Sequence, residues 1–155
     1  MKRLHTLVIG MLLVCLLLTA CSDADAKITI TAGSVTAAAG ETVQIPITIN
    51  EESNVSAADV IVTYDASKLS YAGYDDSETF SPNVKLGNLE QEGRFHYALA
   101  TLDPYTEAGT LFTLELKIAD GVTGDIPLKV EVPTLVDTEQ NELKSKTVSG
   151  TITVE

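Results

Sequence analysis

Side chains that could do chemistry are few in this chain, and they are far apart in the sequence. Beyond the first twenty residues there is one histidine, His96, and one cysteine, Cys21. A catalytic triad, a metal centre or a phosphate-binding loop needs several such groups, or glycines, at fixed spacings, and none of these spacings occurs. His96 alternates with Phe95 and Tyr97, which predicts an outward position on a strand. We therefore expect a protein that is not an enzyme and uses no cofactor.

Two weaker patterns suggest ligand binding. Asp75, Asp76 and Glu78 form the densest group of acids, and carboxylate oxygens are ligands for calcium. Because the group lacks the glycine and the spaced acids of a calcium loop, we predict a solvated turn and no metal site. Tyrosines could stack on a sugar, but the chain has no tryptophan, and Tyr71 and Tyr97 are predicted as core or half-core residues.

The N-terminal segment has the features of an export signal. Lys2 and Arg3 precede an apolar run, residues 7–18, which is too short to span a bilayer comfortably, and small residues then lead to Cys21. The tetrad Leu-Thr-Ala-Cys at 18–21 resembles the lipobox of bacterial lipoproteins. That resemblance implies cleavage before Cys21 and acylation of this cysteine, which would anchor the chain outside the cytoplasm on the cell membrane.

This interpretation divides the chain into three parts: a signal peptide at 1–20, a solvated tether at 21–26 and one domain at 27–155. Loss of Lys2 and Arg3 would take the net charge from −12 to −14. Such an acidic protein is a poor partner for nucleic acid or for anionic lipid headgroups. We therefore expect contact with the membrane through the lipid anchor alone.

The domain is predicted to be all-β, because period-2 alternation recurs between turn signals and no long helical pattern occurs. In AGETVQIPITI, residues 39–49, four aliphatic residues alternate with polar ones around Pro46. Pro127 interrupts a second strand in the same way. We expect both prolines at bulges, strand starts or places where no ladder hydrogen bond is due. The predicted strands are 27–36, with a break or bulge at Gly33, 42–50, 57–64, 68–74, 84–90, 93–101, 110–119, with a bulge near Leu111, 125–132 and 147–154.

Four segments in this order resemble the cohesin domain of cellulosome assemblies. KITITAGSVTAAAGETVQIPITI places Pro46 where family members also carry proline. VSAADVIVTYDASKLSYAGY is similar to the family segment that contains the third strand, and GRFHYALA matches the sixth strand. AGTLFTLELKIADGVTGDIPLKV matches a family segment that ends in the eighth strand. The resemblance covers nearly all of residues 27–155. It implies a nine-stranded jelly-roll β-sandwich that binds dockerin modules of secreted polysaccharide-degrading enzymes through its third, fifth, sixth and eighth strands.

The resemblance also implies site residues. Asp59 matches an aspartate that contacts the dockerin, and Leu143 matches an apolar position that packs on it. Ala57 stands where the family has an asparagine, and Ala98 and Thr101 occupy outward positions that are large or acidic in other members, so ordinary dockerin specificity is in question. The expected partner-binding residues, on a flat exposed face with Ile61 as the apolar anchor, are Asp59, Ile61, Thr63, His96, Ala98 and Leu143, with Ala100 beside them.

Two alternatives to a dockerin receptor stay open at this point. Carbohydrate-binding modules share the sandwich architecture, so the fold alone does not separate them from protein receptors. A carbohydrate-binding module predicts exposed coplanar aromatic rings, or calcium near Asp75 and Asp76. A structural spacer or assembly subunit is the third possibility.

Overall fold

The computed structural model describes residues 27–50, 54–77 and 80–155, and these form a sandwich of two β-sheets. The predicted signal peptide, the predicted tether with Cys21, and Glu78 lie outside the described residues. Within these ranges, no helix has the length and apolar character needed to cross a membrane. The all-β prediction is confirmed for the described part of the chain.

Each of the nine predicted strands is present, and two of them are divided. The first is split at Gly33 and Ser34, as the predicted break requires, and the last is split at Ser149. The strands are β1 (Ile28–Ala32), β2 (Val35–Ala37), β3 (Thr42–Ile49), β4 (Val55–Thr63), β5 (Leu69–Asp76), β6 (Val84–Gln91), β7 (Arg94–Tyr105), β8 (Gly109–Ile118), β9 (Gly124–Asp137), β10 (Ser145–Val148) and β11 (Gly150–Val154).

Each of the two divided strands passes from one sheet of the sandwich to the other. One sheet has the order β10-β1-β3-β8-β5 and the other the order β2-β11-β9-β4-β7-β6. The first and last segments of the described domain pair in parallel in both sheets, β1 with β10 and β2 with β11. Where they change sheet they touch so closely that a Cβ at Gly150 would overlap the carbonyl oxygen of Gly33. Only glycine permits that approach.

Aliphatic and aromatic side chains from both sheets fill the space between them. Strict alternation in β3 puts Val43, Ile45, Ile47 and Ile49 into the core, and β8 contributes Leu114, Leu116 and Ile118. The predicted bulge in β8 is present: Ile47 pairs with Phe112 and Thr48 with Thr110, so Leu111 is skipped. The extra residue allows both Leu111 and Phe112 to be buried.

Each proline lies at a point where its strand is paired with a neighbouring strand on one side only. The β1–β3 ladder ends at the pair Ala32 and Ile47, and Pro46 follows as an acceptor of the Gly33 N–H at 2.9 Å. Pro127 pairs with Thr151 of β11 but lies beyond the last pair of the β4–β9 ladder. This agrees with the prediction that no ladder bond is due at these positions.

Candidate functional site

The outward side chains of β9, β4, β7 and β6 form the surface that we call the four-strand face. These strands lie side by side, so residues from all four line up in rows across the sheet. One row holds Glu131, Ile61, His96 and Asn88, and the next holds Thr134, Asp59, Ala98 and Leu86. The face is therefore assembled from segments that are far apart in the sequence, and its two halves differ in chemistry.

One half carries alternating charges, which we call the charge ladder: Asp59, His96, Glu90, Arg94, Glu131 and Lys129. His96 Nε2 lies 3.2 Å from Asp59 Oδ1, and His96 Nδ1 lies 3.1 Å from Glu90 Oε1. Arg94 Nε donates to Glu90 Oε2 at 2.7 Å, and Arg94 Nη1 lies 3.7 Å from Glu131 Oε2. Lys129 Nζ completes the ladder by donating to Glu131 Oε1 at 2.7 Å.

The cations of the ladder stabilise the ionised form of its glutamates. The hydrogen bond from Arg94 lowers the pKa of Glu90, and the hydrogen bond and charge of Lys129 lower the pKa of Glu131. Because both glutamates have partners that favour the charged form, both are ionised at neutral pH. The ladder is therefore a surface on which most charges are already paired.

The other half is apolar, and we call it the apolar shelf: Val84, Leu86, Ala98, Ala100 and Ala57. Leu86 pairs with Ala98 across β6 and β7, and Val84 pairs with Ala100, which pairs in turn with Ala57. Val84 and Leu86 are each 63% exposed, although large aliphatic side chains in a folded protein are usually buried. The three alanines keep the surface low between them, so another backbone could approach closely.

Leu102 extends the shelf as its most exposed large apolar residue, at 84%. Asn83 Oδ1 accepts hydrogen bonds from the Leu102 N–H at 2.7 Å and from the Thr101 hydroxyl at 3.2 Å. The backbone under Leu102 is therefore held by side chains of a neighbouring segment. Beside it lies a shallow depression of about 500 Å³, lined by Ser56, Ala57, Ala100, Thr101, Leu102, Val136, Thr138 and Gln140.

The structure places Asp59, Thr63, His96 and Ala98 on the four-strand face, as the alternation predicts. All four are half-buried, because neighbouring side chains cover part of each. Ile61 also has the outward parity, but the prediction that it is an exposed anchor is wrong. It is 7% exposed, because it lies between His96 and Glu131, whose longer side chains belong to the charge ladder.

Two other expectations concern Leu143 and Thr101. Leu143 is half-buried and packs against the core, and its N–H donates to the Leu135 carbonyl at 2.8 Å, so contact of its side chain with a partner stays a prediction. Thr101 shares the inward parity of Tyr97 and Leu99 and is buried, so it is not an outward position of β7.

Sequence reasoning missed the apolar anchors on β6. Val84, Leu86, Asn88 and Glu90 share one parity, and Gly87 lies on the other. A Cβ at Gly87 would come within 2.8 Å of the Phe95 ring, so the glycine side of the strand faces the core. The signal was present in VKLGNLEQ: a glycine at an inward position leaves the even-numbered aliphatic residues outside.

In the part of the acidic group that the structure describes, Asp75 and Asp76, the features expected of a calcium site are not found. Asp76 forms an ion pair with Lys85 at 2.8 Å and accepts from the Tyr97 hydroxyl at 3.0 Å, so its oxygens already have partners. Burial together with this hydrogen bond raises the pKa of Tyr97. Among the residues that the structure describes, no group of three or more histidine, cysteine or acidic side chains could hold a metal ion.

The aromatic rings are used in packing. Tyr97 stacks on Phe112 with ring centroids 4.3 Å apart, and Phe80 lies 4.3 Å from Tyr105. Tyr71 stacks on Phe95 at 5.5 Å. All eight tyrosines and phenylalanines fall in the described ranges, and none of them is exposed. A flat platform for sugar rings therefore does not form.

Comparison with known proteins gives one family. The model of the cohesin domain matches residues 28–154. Cellulose-binding protein A of Clostridium cellulovorans is 29% identical in an alignment of 138 positions, which covers 83% of this chain and 7% of that protein. The chain thus spans only a small part of the length of this relative.

Solved structures with the same fold include cohesins from bacteria and an archaeon. The seventh ScaB type I cohesin of Pseudobacteroides cellulosolvens has a TM-score of 0.76 at 18% identity, with 83% of this chain and 92% of that chain covered. The non-cellulosomal cohesin of Archaeoglobus fulgidus has a TM-score of 0.75 at 21% identity, covering 84% and 92%. A type I cohesin–dockerin complex of OlpA from Clostridium thermocellum has a TM-score of 0.75 at 18% identity, covering 83% and 99%. At these identities the likeness concerns the jelly-roll sandwich fold.

Proposed function

Because this chain belongs to the cohesin family, we propose that it is a non-catalytic receptor module that binds a dockerin-type module through the four-strand face. The dockerin would belong to a secreted enzyme that degrades polysaccharides. Structural relatives in complex with dockerins support this class of partner. The observation that carries the proposal is the apolar shelf, where exposed aliphatic side chains surround alanines on an otherwise polar surface.

The chemistry of the face fits a helical protein partner. Val84, Leu86 and Leu102 would insert between aliphatic side chains of a partner helix, and the alanines would let its backbone come close. Asp103 and Asp137 lie next to Leu102 and Val136 in the chain, and the protein as a whole is acidic. A partner with Lys or Arg at the rim of an apolar centre would therefore associate faster and more selectively.

Polysaccharide binding is not favoured as the main function. An insoluble glycan is typically bound by exposed coplanar rings, whereas the aromatic rings here stack on one another inside the sandwich. A structural spacer would not need an exposed aliphatic cluster, which raises the risk of aggregation unless it is covered by a partner.

We further propose that the domain is held at the cell surface by lipid on Cys21, with 1–20 as the signal peptide and 21–26 as the tether. The support is the sequence at 18–21, which resembles a lipobox, together with the short apolar run before it. Expression of the full chain in its host followed by membrane fractionation tests this step. The wild-type chain should stay with membranes, and Cys21→Ala should not mature to a membrane-bound form; equal membrane retention of both would contradict lipidation.

Affinity capture tests the docking proposal. The domain 27–155, which contains both sheets and the core between them, is immobilised and exposed to culture supernatant of the native host. A recovered enzyme that carries a dockerin module supports the proposal, and Asp59→Arg should recover less of it at an unchanged Tm. Retention on insoluble polysaccharide, with no dockerin-bearing protein recovered, would contradict the proposal.

A further inference from the structure

His96 lies between two carboxylates that come from different strands of the four-strand face. Its Nε2 faces Asp59 on β4 at 3.2 Å, and its Nδ1 faces Glu90 on β6 at 3.1 Å. An ionised carboxylate is an acceptor only, so each contact is a hydrogen bond when the ring nitrogen carries a proton. A neutral imidazole has one N–H, whereas the imidazolium has two. The geometry therefore suits the charged ring.

The groups packed around the ring reinforce this arrangement. On its own strand, Arg94 holds the second oxygen of Glu90, so Glu90 cannot turn away from His96 without losing a 2.7 Å ion pair. Ile61 on β4 and Asn88 on β6 flank the ring in the register of the sheet, and Ile61 is buried there. Glu131 on β9 is engaged by Arg94 and Lys129. Glu90 and Glu131 are therefore each held by a cation other than the ring.

Asp59 differs from the other acids of the charge ladder. Its Oδ1 is taken by His96, and among the described residues no hydrogen bond to its Oδ2 is found. Its side chain is part-buried and borders the apolar shelf, because it pairs with Ala98 in the register. The free oxygen is thus held at the line where the charged and the apolar halves meet.

We propose that His96 is a positioning residue for partner binding: its imidazolium holds Asp59 by one oxygen and presents the other to a hydroxyl or ammonium donor of the partner. This inference rests on the proposed docking function of the same face. A neutral ring has one N–H for two carboxylates, so in one of its two tautomers a lone pair faces Asp59 and the hold on Asp59 is lost. The docking face would then be better ordered in acid than in alkaline solution.

Binding to a recombinant dockerin module, taken from the enzyme recovered by affinity capture, tests this role. Calorimetric titrations of domain 27–155 run from pH 5.5 to 8.5. The wild-type affinity should fall by roughly three- to tenfold between the acid and the alkaline end of this range, which is the size expected for one ordinary hydrogen bond. His96→Gln should bind with the weaker affinity at every pH, because it carries no titrating ring.

Glu90→Gln separates positioning from a general effect on the fold. A glutamine can accept from or donate to the ring, so neutral His96 could still donate to Asp59. This variant should bind tightly across the whole range, with the pH dependence reduced. Val148→Ala, an exposed position on β10 in the other sheet, is the control and should keep the wild-type profile. A profile of His96→Gln that falls with pH as steeply as wild type would overturn the proposal.

NMR on the free domain keeps this inference separate from the docking function. His96 is the one histidine in residues 27–155, so its ring nitrogens give a single set of signals. Both nitrogens should be protonated and hydrogen-bonded in acid, and Asp59→Asn should change the Nε2 signal more than the Nδ1 signal. Failure of every dockerin to bind would reject the docking proposal alone. Ring signals that do not respond to Asp59→Asn would reject the positioning role.

Discussion

Leu86→Ala measures how much the apolar shelf contributes to docking. Leu86 is 63% exposed in the free domain, so about two-thirds of its side chain remains to be buried by a partner. Full burial of a leucine contributes roughly 1.5–3 kcal/mol, and the exposed share corresponds to about 1–2 kcal/mol. The Kd for a dockerin module should therefore rise by roughly five- to thirtyfold. Because the side chain touches little of the core, the free energy of unfolding should change by less than about 0.5 kcal/mol.

Val148→Ala is the matched control for this experiment. Val148 is also an exposed large aliphatic residue, but it lies on β10 at the edge of the other sheet. Calorimetry of the two variants with the same dockerin module, together with urea unfolding of the free domains, gives both numbers. Equal losses of affinity for both variants, or no loss for Leu86→Ala, would contradict a partner contact on the apolar shelf.

Three further predictions concern the free domain. Gly87→Ala should lower the free energy of unfolding, measured in urea, by about 1–3 kcal/mol, because the new Cβ would overlap the ring of Tyr74 at 2.5 Å. Gly73→Ala is the control: its Cβ would contact only the end of the flexible Glu115 side chain, so it should lower the free energy of unfolding by less. Burial raises the pKa of Tyr105 to about 12, so the contribution of its neutral hydroxyl to stability is present below pH 10 and is lost as the pH rises through 12. Tyr105→Phe should therefore lose less Tm than the wild-type domain between pH 10 and pH 12. The pKa values of Glu90 and Glu131 lie below their ordinary value of 4.5. Their contribution to the free energy of unfolding is therefore present above that pH and is lost as acid protonates them. Glu131→Gln should reduce this loss of stability in acid, as measured by thermal melts.

The strands could be predicted from the sequence because the buried face of a strand repeats every second residue. This signal located β3 and β8 and even the bulge at Leu111, since a single parity break in an aliphatic run is what one inserted residue produces. The two sheet changes were harder to foresee. Gly33 marked the first break, but the second depends on Gly150 meeting Gly33 across the sandwich, a contact between residues at opposite ends of the domain.

The site was predicted less well than the fold, for a physical reason. Parity along a strand shows to which side of the sheet a side chain points. Its burial also depends on how long the side chains on the neighbouring strands are. Ile61 points outward and is still buried, because His96 and Glu131 come from two adjoining strands and lie beside it. Leu86 has similar chemistry and stays exposed, because its neighbour on β7 is Ala98. Such pairings are set by register between distant segments, which alternation along one strand does not reveal.

NMR titration of labelled domain 27–155 with the captured dockerin module locates the contact surface residue by residue. The largest backbone shift changes should fall on β9, β4, β7 and β6, centred on Leu86, Ala98 and Asp59. Outward residues of β3 and β8 in the other sheet should change little. Shift changes concentrated on Gln44, Glu115 and their neighbours, with the four-strand face unaffected, would contradict docking through the four-strand face.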